Sequence, residues 1–185
     1  GLPGGRCVFG RDDLRKGKGP VIVRDFLERC SGRERWVTVV GGGATGLQMM
    51  FALHEELGRR KERVRFRLVD YSERLLPDLP AAFHDHVTQK LTASGIEYLP
   101  GTKYLGQSGN KVRLEALSSG ERYSTLSDLT LLFPGVVPNP APILTNAYGQ
   151  VRVGEAVFPD LFAAGDCAHF DSPGLNHMTA HPALR

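Results

Sequence analysis

The sequence predicts a three-layer α/β fold that combines a parallel sheet with an antiparallel β-meander. The first observation is a β-branched run at residues 36–40 that enters a glycine-rich turn and then a helical pattern at residues 47–57, closed by Gly58. The second is another strand pattern at residues 64–70, which completes a βαβ unit of about 30 residues. The third is a series of short alternating runs after residue 101, joined by glycine-containing turns.

The region before the βαβ unit gives weaker signals. Residues 1–20 hold six glycines and two prolines, which predicts a linker or a segment ordered only by a neighbour. Residues 21–30 predict a short helix with Val23, Phe26 and Leu27 on one face. Residues 1–6 lack the basic and apolar regions that a secretory signal would show, so no such signal is expected within this sequence.

The elements after the βαβ unit follow in order. A helix is predicted from Pro80 to Ser94 and a third strand from Ile96 to Leu99. Four short runs make the predicted meander: Thr102 to Leu105, Lys111 to Ala116, Glu121 to Thr125 and Leu129 to Phe133. A proline-rich turn, a hairpin around Gly149 and an apolar strand that ends in a glycine-acid turn complete the pattern.

Composition bounds the class of protein. Hydrophobic residues make up 41% of the chain and charged residues 23%, which favours a globular domain over a disordered or fibrous chain. The formal net charge of +3 is too small to require nucleic acid as a partner, and no apolar run reaches the ~18 residues that cross a bilayer. Three scattered cysteines favour a reduced, cytoplasmic setting.

The glycine turn has the G-x-G-x-x-G spacing, and its place between a strand and a helix is the one that dinucleotide binding requires. Gly41 permits the tight turn, Gly43 lets the backbone approach a pyrophosphate, and Gly46 allows close packing of the helix against the strand. Ala44 and Thr45 begin the helix, whose N–H groups and partial positive charge suit a diphosphate. A glycine turn needed only for packing is the alternative.

Asp70 ends the second strand, 24 residues after Gly46, near the ~20-residue spacing at which a carboxylate binds an adenosine ribose. Because its charge repels a 2′-phosphate, Asp70 predicts a preference for NADH over NADPH. Arg67 and Arg74 would favour the opposite preference, but a strand that alternates and a turn predict solvated side chains for them. The basic stretch from Gly58 to Arg67 is likewise predicted to be solvated surface.

The spacing of the histidines and cysteines does not favour a metal site. His84 and His86 point to different faces of a helix, which predicts a surface role. Zinc binding is a weaker alternative for four residues near the C-terminus: Cys167, His169, His177 and His181. No cysteine lies beside an obvious base and no G-x-S-x-G elbow occurs, so no catalytic residue is assigned.

The segments VVGGGATG, LVDYSERLLP, GVVPNP and LFAAGDCA, in this order, resemble the pyridine nucleotide-disulfide oxidoreductase family of two-dinucleotide-binding flavoproteins. The resemblance covers most of residues 36–170 and implies an NAD(P)H domain inserted into an FAD domain. It implies three parts: a linker or partial FAD-domain segment at 1–34, an NAD(P)H-binding Rossmann domain at 35–145, and the return segment of an incomplete FAD domain at 146–185. The chain is thus expected to be the middle piece of a larger enzyme.

The resemblance also implies roles for single residues. Gly41, Gly43, Gly46 and Asp70 would hold NADH, and Gly135 would lie near the nicotinamide. Two residues of the glycine-acid turn would meet the ribityl and phosphate region of FAD: Gly165 and Asp166.

Within the family, the absence of a C-x₂-C pair argues against thioredoxin-reductase-like members. Residues 178–183 look like the T-A-Q-x-A segment near the quinone site of type II NADH dehydrogenases, with His181 in place of Gln. The resemblance therefore implies the NADH-binding region of an FAD-dependent NADH dehydrogenase, inactive alone, that passes hydride from NADH to flavin and then to a quinone or similar acceptor.

Several points stay open at this level. Ferredoxin or a small oxidant is an alternative acceptor, and a non-catalytic nucleotide-sensing module is an alternative function. Peripheral contact with the cytoplasmic face of a membrane, through regions outside this sequence, and a homodimer are the further partners that the resemblance allows.

Overall fold

The computed structural model describes residues 7–29, 34–77, 79–135 and 143–171. The elements before the glycine turn are β1 (Val8–Gly10), α1 (Arg11–Arg15), α2 (Gly19–Arg29) and β2 (Arg35–Val40). Next come α3 (Ala44–Arg59), β3 (Val64–Val69), α4 (Ala81–Ala93) and β4 (Glu97–Leu99). The following strands are β5 (Thr102–Ser108), β6 (Lys111–Ala116), β7 (Arg122–Leu126) and β8 (Leu129–Leu132). The last are β9 (Ile143–Thr145), β10 (Gln150–Val153), β11 (Ala156–Phe162) and β12 (Ala168–Phe170).

The chain forms two compact units, Gly1–Gly135 and Val136–Arg185. The larger unit is built on a five-stranded sheet in the order β1-β8-β2-β3-β4, with every pairing parallel. The strand order changes direction between β2 and β8. In open parallel sheets such a switch point leaves a crevice at the carboxyl ends of the strands.

Two apolar clusters hold this unit in three layers. One face of the sheet packs against helices in a cluster of fully buried side chains: Phe26, Val37, Val39, Met50, Leu57, Leu68 and Leu91. Val69 follows Leu68 on β3 and therefore points to the opposite face, where it packs with Val112 and Leu114 of β6. The layers are thus helices, parallel sheet and meander, which confirms the predicted fold class.

The three helices that were predicted, α2, α3 and α4, largely match their predicted positions. α2 begins two residues before the predicted start and buries Ile22 besides the predicted Phe26. α3 does not end at Gly58 as predicted but continues to Arg59, and the turn that follows places Lys61 at φ 56°. Gly95, at φ 66°, follows α4 as expected.

The linker prediction for residues 1–20 is wrong in part. Val8–Gly10 forms an edge strand of the parallel sheet, in register with Thr130 to Leu132, and a short helix follows it. A three-residue strand is too short to show a period of its own. Its partner lies more than 100 residues later in the chain.

The prediction of a four-stranded meander is corrected to three strands. β5, β6 and β7 pair antiparallel, whereas β8 lies between β1 and β2 in the parallel sheet. The residues of β8 are apolar or threonine and mostly fully buried, as expected of a strand that is covered on both faces.

The smaller unit has a four-stranded sheet in the order β11-β10-β9-β12. The predicted hairpin around Gly149 is confirmed by antiparallel pairing of β9 with β10, and Gly149 has φ 82°. β12 pairs parallel to β9 and was not predicted. Every residue of β11 is exposed, and its large apolar side chains are Val157, Phe158, Leu161 and Phe162.

The unit boundary at residues 135 and 136 differs from the expected boundaries at residues 34 and 145. Residues 8–29 belong to the larger unit because β1 extends its sheet and α2 fills its core. The assignment of these parts to NAD(P)H and FAD domains stays a prediction.

Candidate functional site

The glycine turn lies at the carboxyl end of β2, beside the switch point of the sheet. Its backbone is fixed on both sides, because the Gly41 N–H donates to the Val69 carbonyl at 2.8 Å and the Phe133 N–H donates to the Val40 carbonyl at 2.7 Å. The turn therefore sits between the ends of β3 and β8. A pocket of about 490 Å³ opens here, and Gly41, Gly42 and Gly43 form part of its wall.

The glycines of the turn differ in what surrounds them. Gly41 has φ 101°, and a Cβ there would overlap the Phe133 carbonyl oxygen. A Cβ on Gly46 would overlap the Gly41 carbonyl oxygen, so the predicted close packing of the helix is against the turn itself. A Cβ on Gly43 would meet nothing within 4 Å. The fold therefore does not require a glycine at position 43, and the space beside Gly43 at the start of α3 is open.

The first turn of α3 faces this open space. Gly43 is the N-cap, in an extended conformation with φ −72° and ψ 174°, and Ala44 and Thr45 are exposed as the first residues of the helix. The first N–H groups of a helix have no intrahelical acceptor and carry partial positive charge. The arrangement can accept an anionic group such as a phosphate.

Asp70 fixes the glycine turn as well as lining the pocket. One carboxylate oxygen accepts the Gly42 N–H at 2.8 Å, and the other accepts the Ser72 N–H at 3.0 Å. Burial raises the pKa of the Asp70 carboxyl above its ordinary value, while these backbone hydrogen bonds act in the opposite direction. A carboxylate oxygen has further lone pairs, so Asp70 can still accept hydrogen bonds from a ligand hydroxyl.

Sequence reasoning missed Gly42, which is also constrained, although by side chains and not by the backbone. Gly42 is buried, and a Cβ there would overlap both the Asp70 carboxylate and the Leu75 side chain. The G-x-G-x-x-G spacing specifies no residue at this position. In this chain the approach of Asp70 to the turn requires a glycine there.

The second wall of the pocket comes from two neighbouring segments. Residues 71–77 contribute Tyr71, Ser72, Leu76 and Pro77, and the start of β5 contributes Thr102, Lys103 and Tyr104. The two segments are joined because the Thr102 N–H donates to the Asp70 carbonyl at 2.8 Å and the Gly101 N–H donates to the Ser72 carbonyl at 3.2 Å. No binding role was predicted from the sequence for any of these seven residues.

This wall combines aromatic, aliphatic and polar groups. The Tyr71 ring is 66% exposed and belongs to no apolar cluster of the described residues. Burial raises the pKa of Tyr104, so its hydroxyl stays neutral. Leu76 adopts φ 49°, a conformation that is uncommon for leucine, where it lines the pocket. The aromatic and aliphatic part of this wall suits a flat heterocycle such as a nucleobase.

Arg67 and Arg74, which would have favoured NADPH, do not line the pocket. Arg67 is 5% exposed, in contrast to its predicted solvated position. Its guanidinium binds Glu97 at 2.6 Å and the Leu126 carbonyl at 3.0 Å, and it lies 4.4 Å from the centre of the Trp36 ring. Arg74 is exposed and does not line the pocket.

The remaining predicted residues fall into two groups. Gly135 lines the same pocket at φ 90°, with open space where a Cβ would be. Gly165 begins a short 3₁₀ turn of the smaller unit at φ 69°. The side chain of Asp166 lies outside the part of the chain that the structure describes.

Among the described histidines and cysteines, His84 and Cys167 make structural hydrogen bonds. His84 accepts the Leu75 N–H at 3.0 Å, and so it fixes the segment that lines the pocket. Cys167 donates to the Ala164 carbonyl, and no group of three metal-ligating side chains occurs among the described residues. His177 and His181, together with the quinone-site-like segment 178–183 and residues 136–140 of the GVVPNP motif, lie outside them.

The parallel sheet, the switch point and the glycine turn define this chain as a Rossmann-like α/β protein. A family model described as pyridine nucleotide-disulphide oxidoreductase matches residues 8–185. The chain belongs to this family.

The chain is also similar to individual proteins, each over part of that protein's length. The external alternative NAD(P)H-ubiquinone oxidoreductase B1, mitochondrial, of Arabidopsis thaliana is 27% identical in an alignment of 169 residues that covers 80% of this chain and 29% of that protein. The structure of NDH2 from Plasmodium falciparum in complex with NADH has a TM-score of 0.61 and 17% identity, covering 79% of this chain and 36% of that one.

A third match has a similar fold. Reduced CoADR-RHD of Bacillus anthracis has a TM-score of 0.55 and 21% identity, covering 88% of this chain and 28% of that one. The chain thus spans about a third of the length of the relatives it matches. Among the described residues, no helix has the length and apolar character that a membrane span requires.

Proposed function

We propose that this chain is the NADH-binding region of an FAD-dependent NADH dehydrogenase that passes hydride from NADH to flavin and then to a quinone or similar acceptor. One observation carries the proposal: the open space beside Gly43 and the carboxylate of Asp70 lie in the same pocket at the switch point of a parallel sheet. Membership of the pyridine nucleotide-disulphide oxidoreductase family supports it.

The residues of the pocket take distinct roles in this proposal. The diphosphate lies beside Gly43, where N–H groups at the start of α3 donate to it. Asp70 accepts hydrogen bonds from the hydroxyls of the adenosine ribose and keeps its own bonds to Gly42 and Ser72. The wall that contains Tyr104 takes the adenine. The nicotinamide extends toward Gly135, where no side chain blocks its approach.

Hydride acceptance is chemistry that the flavin supplies in the full-length protein. This chain's contribution is to hold the nicotinamide in position and to exclude water from its reactive face. Residues 146–185, with Gly165 and Asp166, are proposed to return the chain to the flavin site, and residues 35–145 to form the NAD(P)H domain. Because most of a flavin site would come from outside this chain, we expect the 185 residues alone to bind no FAD.

The names of the relatives support the choice of partners. The Arabidopsis protein is described as acting on ubiquinone and the Plasmodium structure contains NADH. A quinone acceptor, peripheral membrane contact, a homodimer and a cytoplasmic location are proposed for the full-length protein on this basis and on the resemblance. The location stays a prediction, since the Arabidopsis relative is described as mitochondrial.

Two measurements test the proposal. Titration of the chain with NADH, followed by calorimetry, should give a saturable single site. In the full-length protein, NADH should bleach the flavin absorbance, and a quinone should restore it. NADH binding without bleaching would favour the nucleotide-sensing alternative, and restoration by ferredoxin but not by quinone would favour another reductase. Absence of NADH binding to the chain would contradict the assignment of the pocket.

A further inference from the structure

Lys103 is a feature of the pocket that the sequence did not single out. Among the described residues that line the pocket, Asp70 and Lys103 are the two that carry charge at neutral pH. Lys103 is exposed, and it is the second residue of β5. The pocket therefore presents one carboxylate and one ammonium group to a ligand.

No partner in the described structure neutralises Lys103. Its register partner on β6 is Glu115, which would be the natural ion-pair partner across the strands. The Glu115 carboxylate instead binds the Arg122 guanidinium at 2.6 Å. Lys103 makes no ion pair with any residue that the structure describes, so its charge is available to a ligand.

The backbone holds Lys103 close to Asp70. The preceding residue, Thr102, donates its N–H to the Asp70 carbonyl at 2.8 Å. The Cα atom of Lys103 is therefore only one peptide, about 3.8 Å, beyond a residue that is bonded directly to Asp70. Both residues line the same pocket, and the flexible four-carbon stem of a lysine lets its ammonium group move toward a group bound beside Asp70.

Among the described residues that line the pocket, no other cation competes for this role. Arg67 is buried and bound to Glu97, and Arg74 lies outside the pocket wall. Any negatively charged group added to a ligand beside Asp70 would thus depend on Lys103 for compensation.

We propose that Lys103 is a specificity-determining residue that binds the 2′-phosphate of NADPH, so that this site takes NADPH in addition to NADH while Asp70 still favours NADH. Because Asp70 would bind the 2′-hydroxyl of NADH, the 2′-phosphate of NADPH comes close to a carboxylate, and a compact ammonium group offsets that repulsion. NADH has no charge at this position and gains little from Lys103. This role rests on the proposed function, since it presupposes dinucleotide binding in the pocket.

The test compares variants in their affinity for both dinucleotides. Lys103→Met removes the charge, Lys103→Arg keeps it, and Lys111→Met removes an exposed lysine of the same small sheet that does not line the pocket. The dissociation constants for NADH and NADPH are measured by calorimetry on the 185-residue chain. ADP and 2′,5′-ADP serve as probes that differ in the 2′-phosphate and lack the nicotinamide.

In Lys103→Met, we expect binding of NADPH and 2′,5′-ADP to weaken about fivefold to tenfold, with NADH and ADP changed less than twofold. Lys103→Arg should keep most of the NADPH affinity, and Lys111→Met should change neither. In the unmodified chain NADPH binding should also fall more steeply with added salt than NADH binding, and Lys103→Met should remove that difference.

Several results would overturn this role. Equal weakening of NADH and NADPH in Lys103→Met would show that Lys103 serves the shared diphosphate, and no change in either would show that it is only solvated. An unmodified chain that binds NADH but not NADPH would refute the role of Lys103 and leave the proposed function standing. A chain that binds neither dinucleotide would refute both.

Discussion

Valine at Gly43 should separate ligand binding from folding. The N-cap conformation of Gly43, φ −72° and ψ 174°, is open to any L residue, and an added Cβ would meet nothing within 4 Å. A poorer N-cap costs up to about 1 kcal/mol. Replacement of a glycine also lowers the conformational entropy of the unfolded chain, which stabilises the folded state by about 0.4 to 1 kcal/mol. The free energy of unfolding should therefore stay within about 1 kcal/mol of that of the unmodified chain.

The same side chain fills the space that the diphosphate of NADH needs. Hydrogen bonds to a charged group contribute about 1.5 to 3 kcal/mol each. Loss of two of them from the start of α3 weakens NADH binding about a hundredfold or more. Trp36 is the only tryptophan, and it lies on β2 about 17 Å along the strand from Gly41. Energy transfer from Trp36 to bound NADH is thus a direct assay.

Gly46→Ala is the matched control. Its Cβ would overlap the Gly41 carbonyl oxygen, so this smaller change should cost about 1 to 3 kcal/mol of stability. For a chain of this size that lowers the melting temperature by about 3 to 10 °C. Unchanged NADH affinity in Gly43→Val, with an intact circular dichroism spectrum, would refute the role given to Gly43. Unfolding of Gly43→Val would refute the claim that the space beside it is open.

Three further predictions concern Asp70 and the smaller unit. Asp70→Asn should narrow the preference for NADH over NADPH by about 1 kcal/mol, measured by calorimetry, because it removes the repulsion of the 2′-phosphate; a wider preference would contradict the assignment. Since burial raises the pKa of Asp70, its contribution to stability is present below the unfolded pKa near 3.8 and is lost as pH rises through the folded pKa. The melting temperature of Asp70→Asn minus that of the unmodified chain should therefore increase between pH 4 and pH 7, and a decrease would show that hydrogen bonds to the carboxylate outweigh its burial. Asp166→Ala should leave the NADH affinity of the colourless chain within a few-fold but lower the flavin content of the full-length protein; FAD that copurifies with the 185 residues would contradict this division of roles.

Features set by neighbours in sequence could be predicted. The glycine spacing, the strand before it and the helix after it are all local, and so they located the turn correctly. Asp70 was found because a strand of known length carries it to the edge where the turn lies. The C-terminal end of α4 and the hairpin at Gly149 follow from glycine conformations, which are equally local.

Features that depend on contacts between segments far apart in the sequence could not be predicted. β8 reads as one more alternating run, and only its partners β1 and β2 place it in the parallel sheet. Arg67 alternates with apolar residues on a strand, which predicts exposure. The meander covers that face of the sheet and buries it. Lys103 was overlooked because its place in the pocket depends on hydrogen bonds between two segments about 30 residues apart.

The position of β8 has a consequence for biosynthesis. A ribosome releases β1 and β2 long before it reaches residues 129–132, which lie between them in the sheet. Until then the two strands lack the partner that joins them, and each has an unpaired edge open to other chains. Pairing over such separations is also slow. The nascent chain should therefore stay sensitive to proteases until β8 has left the exit tunnel, and a chaperone that shields strand edges should raise the yield.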